Sequence, residues 1–308
     1  MIPNIFFLDK LKKLSFTSKV LIPSNYEIIV GSSLFLADMI HHMKTHFIQE
    51  SHILRSEFLK REVVIDCYIP HSTSLEFHFE LLLINDGQDL VKMHFGHLLD
   101  NLFSTESLQP LFCVGIHCSA ERRYEYGTAN VPDYQGYGVK AHLYTEFILQ
   151  ELLPFLTVSY GIDSRCVKSF AGFSLGGLSA LDIVWNYPTI FKRVGVFSGS
   201  LWWRDRAQEH PEFNEETDRI MHRLIREGSF TPGQKFFFEV GTQDETADRN
   251  NNGIIDSIDD TLSLIEELVK KGYDKNNDIR YLELEDGKHD IATWAKSFPD
   301  FLRWGWKK

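Results

Sequence analysis

Apolar and polar positions alternate in two different ways along the chain from about residue 60 onward. Short runs rich in apolar and β-branched residues predict strands, and the longer segments between them have helical periodicity. The run LFCVGIHC (111–118) predicts a fully buried strand, because it is almost continuously apolar. The other predicted strands are 61–70, 80–86, 166–173, 191–199, 235–241 and 279–287. The predicted helices include 88–103, 139–157, 175–187, 257–271 and 290–304.

This order of elements predicts an α/β fold. Strands that alternate with helices form a mostly parallel central sheet, and right-handed crossovers place helices on both of its faces.

The first 50 residues do not follow this alternation, because Pro3, Pro23 and the turn Gly31-Ser32-Ser33 interrupt them. The stretch LADMIHHMKTHF (36–47) is compatible with a helix. No linker rich in Gly, Ser or Pro separates the segment from the rest. We expect an N-terminal extension of unknown role, residues 1–50, followed by one domain, residues 51–308.

Composition narrows the range of functions. The net charge of −11 argues against nucleic acid and anionic membrane surfaces as partners, since both attract basic patches. No run approaches the 18 or so apolar residues of a spanning helix, and the first apolar stretch is too short for a signal peptide. Four cysteines lie in or beside apolar runs at no metal-ligand spacing, which is typical of thiols in a reducing compartment. We therefore expect a cytoplasmic protein.

Gly172-Phe173-Ser174-Leu175-Gly176 forms a G-x-S-x-G motif. It follows a predicted strand and opens a predicted helix, the arrangement that a nucleophile elbow requires. Glycines on both sides allow the sharp turn that would hold the hydroxyl of Ser174 out at the carboxyl edge of the sheet. The motif alone is common by chance, so its weight depends on partners elsewhere in the chain.

Two later strands end in residues that could activate this serine. Asp244 follows FFFEVGTQ, and His289 follows YLELEDGK, in the order serine, acid, histidine that this architecture uses. His117 is an alternative base, and Glu245 an alternative acid. Ser174 would attack an ester carbonyl, His289 would take its proton, and Asp244 would fix the imidazole tautomer.

The tetrahedral intermediate also needs hydrogen-bond donors for its negative oxygen. We expect these to be the backbone amide of Leu175 and an amide of the segment NDGQD, with Gln88 as the donor.

Residues from about 55 to 305 resemble the esterase branch of the α/β-hydrolase fold that holds enterochelin esterases, feruloyl esterases and mycolyltransferases. The segments that carry the resemblance are LLLINDGQDL, ERRYEYGTA, FILQELLPFL, AGFSLGGLSAL, SGSLWW, GTQDE and GKHDIATW. The resemblance implies hydrolysis of carboxylic esters through Ser174, Asp244 and His289, with no organic cofactor. Within the branch, SGSLWW and ERRYEYG are most similar to the enterochelin-esterase-like members.

Substrate contacts are less specific in the sequence. Arg122 and Arg123 are the local basic residues suited to an anionic siderophore, although the chain lacks a basic cluster. Trp202 and Trp203 are equally compatible with a substrate platform and with core packing. A feruloyl or acetyl esterase acting on carbohydrate esters is the alternative enzyme, and a non-catalytic binding protein on the same fold is the alternative from another class. The expected partner is a small-molecule ester, and the oligomeric state is left open.

The segment DRNNNGIIDSID (248–259) resembles a calcium-binding loop, with oxygen-bearing residues at positions 1, 3, 5, 9 and 12 and glycine at position 6. An Asn-rich surface turn is the simpler alternative. The predicted Ca²⁺ ligands are Asp248, Asn250, Asn252, the Ile254 carbonyl, Asp256 and Asp259. Such a site would stiffen the segment that carries Asp244.

Overall fold

The computed structural model describes residues 46–71, 79–105, 108–163 and 165–307. All of them lie in one unit, Thr45–Lys308. The predicted extension lies outside the described residues apart from its last five positions. The predicted helix 36–47 lies outside them too, except for its last two residues, and the second of these, Phe47, begins a strand.

Eight strands of the described residues form a single sheet in the order β1-β2-β4-β3-β5-β6-β7-β8. The first two pairings, β1 with β2 and β2 with β4, are antiparallel, and the pairings from β4 through β8 are parallel. The strands are β1 (Phe47–Ser56), β2 (Arg61–Pro70), β3 (Glu80–Asn85), β4 (Leu111–Ile116), β5 (Lys168–Phe173), β6 (Phe191–Phe197), β7 (Lys235–Gln243) and β8 (Ile279–Lys288).

Helices connect the parallel strands, as expected when each crossover must return the chain to the same end of the sheet. A 3-10 turn (Gly87–Asp89) follows β3, and a π-helical segment (Phe147–Leu152) joins α3 to α4. The α-helices are α1 (Phe95–Thr105), α2 (Arg122–Glu125), α3 (Ala141–Glu146), α4 (Leu153–Tyr160), α5 (Leu175–Asn186), α6 (Glu215–Asp218), α7 (Ile220–Glu227), α8 (Asp256–Lys271) and α9 (Ile291–Trp306).

The core lies on both faces of the sheet, because successive side chains of a strand point in opposite directions. In β7, Phe236 and Phe238 pack in one cluster with the buried residues of α5, whereas Phe237 packs on the other face against α9. Helix α5 is buried along almost its whole length. This helix begins directly after Ser174, so the sheet and the helix together hold that residue in a rigid setting.

The predicted fold class and the seven predicted strands are confirmed, with ends that shift by a few residues. Strand β1 was not predicted, because six of its ten residues are exposed and polar residues interrupt its apolar positions. The helix predicted over 88–103 begins only at Phe95, after turns in which Asp86 and His94 have positive φ. None of the helices in the described part of the chain has both the length and the apolar character needed to cross a membrane.

Candidate active site

Ser174 occupies the turn between β5 and α5 with φ 54° and ψ −123°. Few non-glycine residues adopt this conformation, which costs roughly 1–3 kcal/mol. The turn also requires glycine at position 172, since a Cβ there would lie 2.2 Å from the carbonyl oxygen of Gly176. The local backbone is therefore that of a nucleophile elbow.

Backbone hydrogen bonds fix Ser174 at the carboxyl edge of the sheet. Its N–H donates to the carbonyl of Phe197 at 2.8 Å, and its carbonyl accepts from the N–H of Ser200 at 3.1 Å. Among the described residues, the polar partner of its hydroxyl is Ser200, with 3.5 Å between the two Oγ atoms. The hydroxyl is half-buried and is not engaged by a strong acceptor.

Asp244 and His289 meet at the ends of the last two strands. The Nδ1 atom of His289 lies 3.9 Å from Oδ2 of Asp244. Strands β7 and β8 approach closely at this point because both carry glycine: a Cβ on Gly241 would lie 2.3 Å from the carbonyl carbon of Gly287. The Asp244 side chain is 1% exposed, whereas that of His289 is 40% exposed.

Trp294 of α9 links this pair to the elbow. Its indole stacks on Phe173, with ring centroids 5.1 Å apart, and makes a T-shaped contact with the His289 ring, with centroids 5.4 Å apart. Its Nε1 donates to the hydroxyl of Ser198 at 2.9 Å. One indole therefore contacts both the residue before Ser174 and the imidazole of His289. No hydrogen bond joins His289 to Ser174 within the described residues.

The loop after β3 packs beside the elbow. The amide nitrogen of the Asn85 side chain donates to the carbonyl of Gly176 at 2.8 Å, and the Tyr144 hydroxyl donates to Asn85. Gln88 lies in the 3-10 turn that follows, and its side-chain oxygen accepts from the N–H of Cys118 at 3.0 Å. Leu175 is the first residue of α5, where a backbone N–H has no partner within the helix.

Arg122 braces the same region from α2. Its guanidinium makes two hydrogen bonds of 2.7 Å to the carboxylate of Asp86 and a third, of 3.3 Å, to the carbonyl of Phe173. Burial disfavours its charge, but the hydrogen bonds and negative charge of Asp86 outweigh that effect and raise the pKa of Arg122. Sequence reasoning did not anticipate this pairing, because Asp86 looks like an ordinary turn residue.

Three comparisons with known proteins bear on this arrangement. The family described as "Putative esterase" matches residues 56–304, which is most of the chain. The chain belongs to this esterase family. The predicted family is therefore confirmed, and with it the prediction that the chain is an enzyme of the esterase class.

The proteins to which this chain is similar differ in length. The uncharacterized protein YbbA of Bacillus subtilis (strain 168) is 24% identical over 77% of this chain and 90% of its own. The enterobactin esterase FES of Shigella flexneri, with enterobactin present, superposes with a TM-score of 0.64 at 22% identity, over 83% of this chain and 57% of that one. A ferulic acid esterase superposes with a TM-score of 0.61 at 15% identity, over 84% of this chain and 97% of that one. This esterase thus spans less than two thirds of the FES chain.

The other predicted substrate residues of this esterase lie in different settings. Arg123 is exposed, and its guanidinium lies over the ring of Tyr137 at 5.6 Å. Trp203 is buried, and its ring lies 2.8 Å from where a Cβ on Gly127 would be. It is thus a core residue rather than a substrate surface. Trp202 is 38% exposed, so only this ring of the pair offers a surface to a ligand.

The alternative base is already engaged. Nε2 of His117 lies 2.7 Å from Oδ2 of Asp66, and the Ser51 hydroxyl donates to the other oxygen of the same carboxylate. These three residues belong to the antiparallel side of the sheet, on β1, on β2 and directly after β4. Glu245, the alternative acid, is half-buried, and burial raises the pKa of its carboxyl group.

In the segment 248–259, residues 248–255 form a turn held by side chains of the segment, and residues 256–259 begin α8. The carboxylate of Asp248 accepts from the N–H groups of Asn252 and Gly253 at 3.1 and 2.9 Å. Both asparagine amides, of Asn250 and Asn252, donate to Asp259. Asp256 accepts from the N–H of Arg249 at 2.8 Å, and Ile254 is exposed. Within the described residues, no group of three or more His, Cys, Asp or Glu side chains is placed to hold a metal ion.

Proposed function

We propose that this esterase hydrolyses carboxylic esters through an acyl-enzyme on Ser174, with His289 as general base and Asp244 as the orienting acid. The observation that carries the proposal is a serine in a strained strand-to-helix turn, linked through Trp294 to the imidazole of His289, which lies next to the buried carboxylate of Asp244. Nucleophilic catalysis requires a serine hydroxyl that a histidine can reach and a carboxylate that orients this histidine.

In this mechanism the imidazole of His289 takes the Ser174 proton as Oγ attacks the ester carbonyl. The negative oxygen that forms is held by the N–H groups of Leu175 and Gln88. The imidazolium returns the proton to the leaving alcohol, and water then releases the acid by the same steps. A hydrogen bond between His289 and Ser174 forms with substrate bound, since catalytic contacts are often long before that stage.

The substrate class within ester hydrolysis has two candidates. The first is a siderophore ester of the enterochelin type, which the likeness to FES supports. The second is a feruloyl or acetyl ester of a carbohydrate. The structure favours the second candidate. Asp86 neutralises Arg122, so that of the two adjacent arginines only Arg123 could bind an anionic substrate. A strongly anionic siderophore would need more positive charge than this one side chain offers.

The test compares wild type with Ser174→Ala in hydrolysis of p-nitrophenyl acetate. Labelling with a fluorophosphonate and mapping of the adduct follow. Ser200→Ala is the matched control, because its hydroxyl lies 3.5 Å from that of Ser174 in the same site. We expect Ser174→Ala to lose the activity and the adduct, and Ser200→Ala to keep both. Equal rates for wild type and Ser174→Ala, with no adduct on Ser174, would favour a non-catalytic binding protein.

The proposal includes a Ca²⁺ site in the segment 248–259. The turn around Asp248 supports it, whereas Asp256 is the least available ligand because it pairs with Arg249. Calcium titration should release or absorb heat in wild type and not in Asp248→Asn. Asp274→Asn is the control, because Asp274 holds a similar exposed turn by accepting from Asn276 and Asn277. No heat in wild type, with a melting temperature unaffected by a chelator, would exclude the site.

A further inference from the structure

A second carboxyl group lies on β7 behind the proposed catalytic acid. Glu239 is 1% exposed, and the alternation of β7 places it on the same face as Phe237, toward α9. Its main-chain carbonyl accepts from the N–H of Ser198 at 2.8 Å. Within the described residues, neither oxygen of its side chain has a hydrogen-bond partner. A buried carboxyl group in that condition is costly and requires an explanation.

The carboxyl group of Asp244 is likewise buried and without a hydrogen-bond partner among the described residues. Its side chain folds back over β7, because a Cβ on Gly241 would lie 2.7 Å from Oδ1 of Asp244. Positions 239 and 241 are on the same face of the strand. The two carboxyl groups therefore share one buried space.

One proton would satisfy both groups. Two ionised carboxylates are acceptors only and repel each other, so one of a close buried pair retains its proton. Burial and then the negative charge of Asp244 raise the pKa of Glu239 to about 8, against the opposing effect of the Ser198 N–H. His289 lies beyond Asp244 at this space, whereas Tyr281 of β8 pairs with Phe238 and packs on the opposite face of the sheet, where its hydroxyl donates to Glu283.

We propose that Glu239 is a positioning residue for the catalytic acid: its neutral carboxyl group donates a hydrogen bond to Asp244. This bond would occupy one oxygen of Asp244 and leave the other for the Nδ1–H of His289, which fixes the tautomer whose Nε2 faces Ser174. The inference rests on the proposed function, because the orientation of Asp244 matters only if this residue serves the histidine.

The test uses two substitutions. Glu239→Leu removes the donor and keeps most of the volume, and Glu239→Gln keeps a neutral side chain with an N–H donor. We expect Glu239→Leu to lower kcat about tenfold with KM unchanged, and Glu239→Gln to recover most of the loss. In wild type, kcat/KM should fall above pH 8 as Glu239 ionises and can no longer donate. This fall should be absent in Glu239→Gln.

Asp244→Ala and phosphonate labelling of Ser174 are measured beside them. If Asp244→Ala slows the enzyme and Ser174 is labelled, but Glu239→Leu has wild-type kcat and Glu239→Gln keeps the alkaline fall, the inference is wrong and the proposed function stands. If Asp244→Ala and Ser174→Ala leave turnover unchanged, the proposed function itself fails. Should Glu239→Leu not fold, the pH profile of Glu239→Gln decides by itself.

Discussion

Replacing Ser174 by glycine should stabilise the protein while it abolishes the proposed activity. At φ 54° and ψ −123° the serine is in a backbone region that glycine adopts without steric conflict. Ser174→Ala removes the hydroxyl but keeps the Cβ, and therefore keeps the strain. Comparison of the two variants isolates the strain from the loss of the nucleophile.

The magnitude follows from two opposing effects. Relief of a strained conformation is worth roughly 1–3 kcal/mol. Glycine lowers the free energy of unfolding by roughly 0.5–1 kcal/mol relative to alanine, because it has more conformational freedom in the unfolded chain. Ser174→Gly should therefore exceed Ser174→Ala by about 1 kcal/mol in free energy of unfolding. For a domain of this size that corresponds to about 2–4 °C in melting temperature.

Urea unfolding followed by circular dichroism measures both variants. Ser159 provides the control, because it is exposed in α4 and has ordinary helical geometry. At that position glycine should be less stable than alanine by about 1 kcal/mol, so the sign reverses. If Ser174→Gly is no more stable than Ser174→Ala while the control behaves as expected, the turn stores no strain and the reasoning is wrong.

Three further predictions concern residues around the elbow. Gly172→Ala should lower the free energy of unfolding by about 3 kcal/mol or prevent folding, since the new Cβ would lie 2.2 Å from a carbonyl oxygen. Urea unfolding measures this loss of stability, and an unchanged midpoint would refute the prediction. Burial raises the pKa of Asp182 to about 7, so the native state holds a proton that the unfolded state releases. The free energy of unfolding of wild type should therefore fall by up to about 4 kcal/mol relative to that of Asp182→Asn between pH 4 and pH 7. Parallel pH profiles of stability for the two proteins would contradict this. Arg122→Met should lower the free energy of unfolding by about 3 kcal/mol, because it leaves Asp86 buried without its cation. Adding Asp86→Asn to the same chain should restore part of this stability. Additive effects in the double-mutant cycle would show that the two residues do not interact.

The sequence predicted local features well because each depends on a few neighbouring residues. The alternation of apolar runs was enough for seven strands, and the glycines around Ser174 were enough for the elbow, since a tight turn limits which residues fit it. Strand β1 was missed for the same reason: it is an edge strand whose exposed side chains leave no apolar pattern.

Pairings between distant residues were not predictable in this way. Arg122 was expected to face substrate, but the fold places it against Asp86 and the strand that carries the nucleophile. Trp203 and Trp202 are adjacent and chemically identical, yet one is buried and the other is 38% exposed. Nothing within a few residues of either one indicates the difference.

What the sequence by itself determined was the set of strands and helices and the turn that carries Ser174. What only the tertiary structure decided was which charged groups lose water together, as Arg122 and Asp86 do beside the elbow. The physical reason is that backbone preferences act over a few residues. Burial and charge pairing depend instead on strands that are far apart in the chain and adjacent only in the folded sheet.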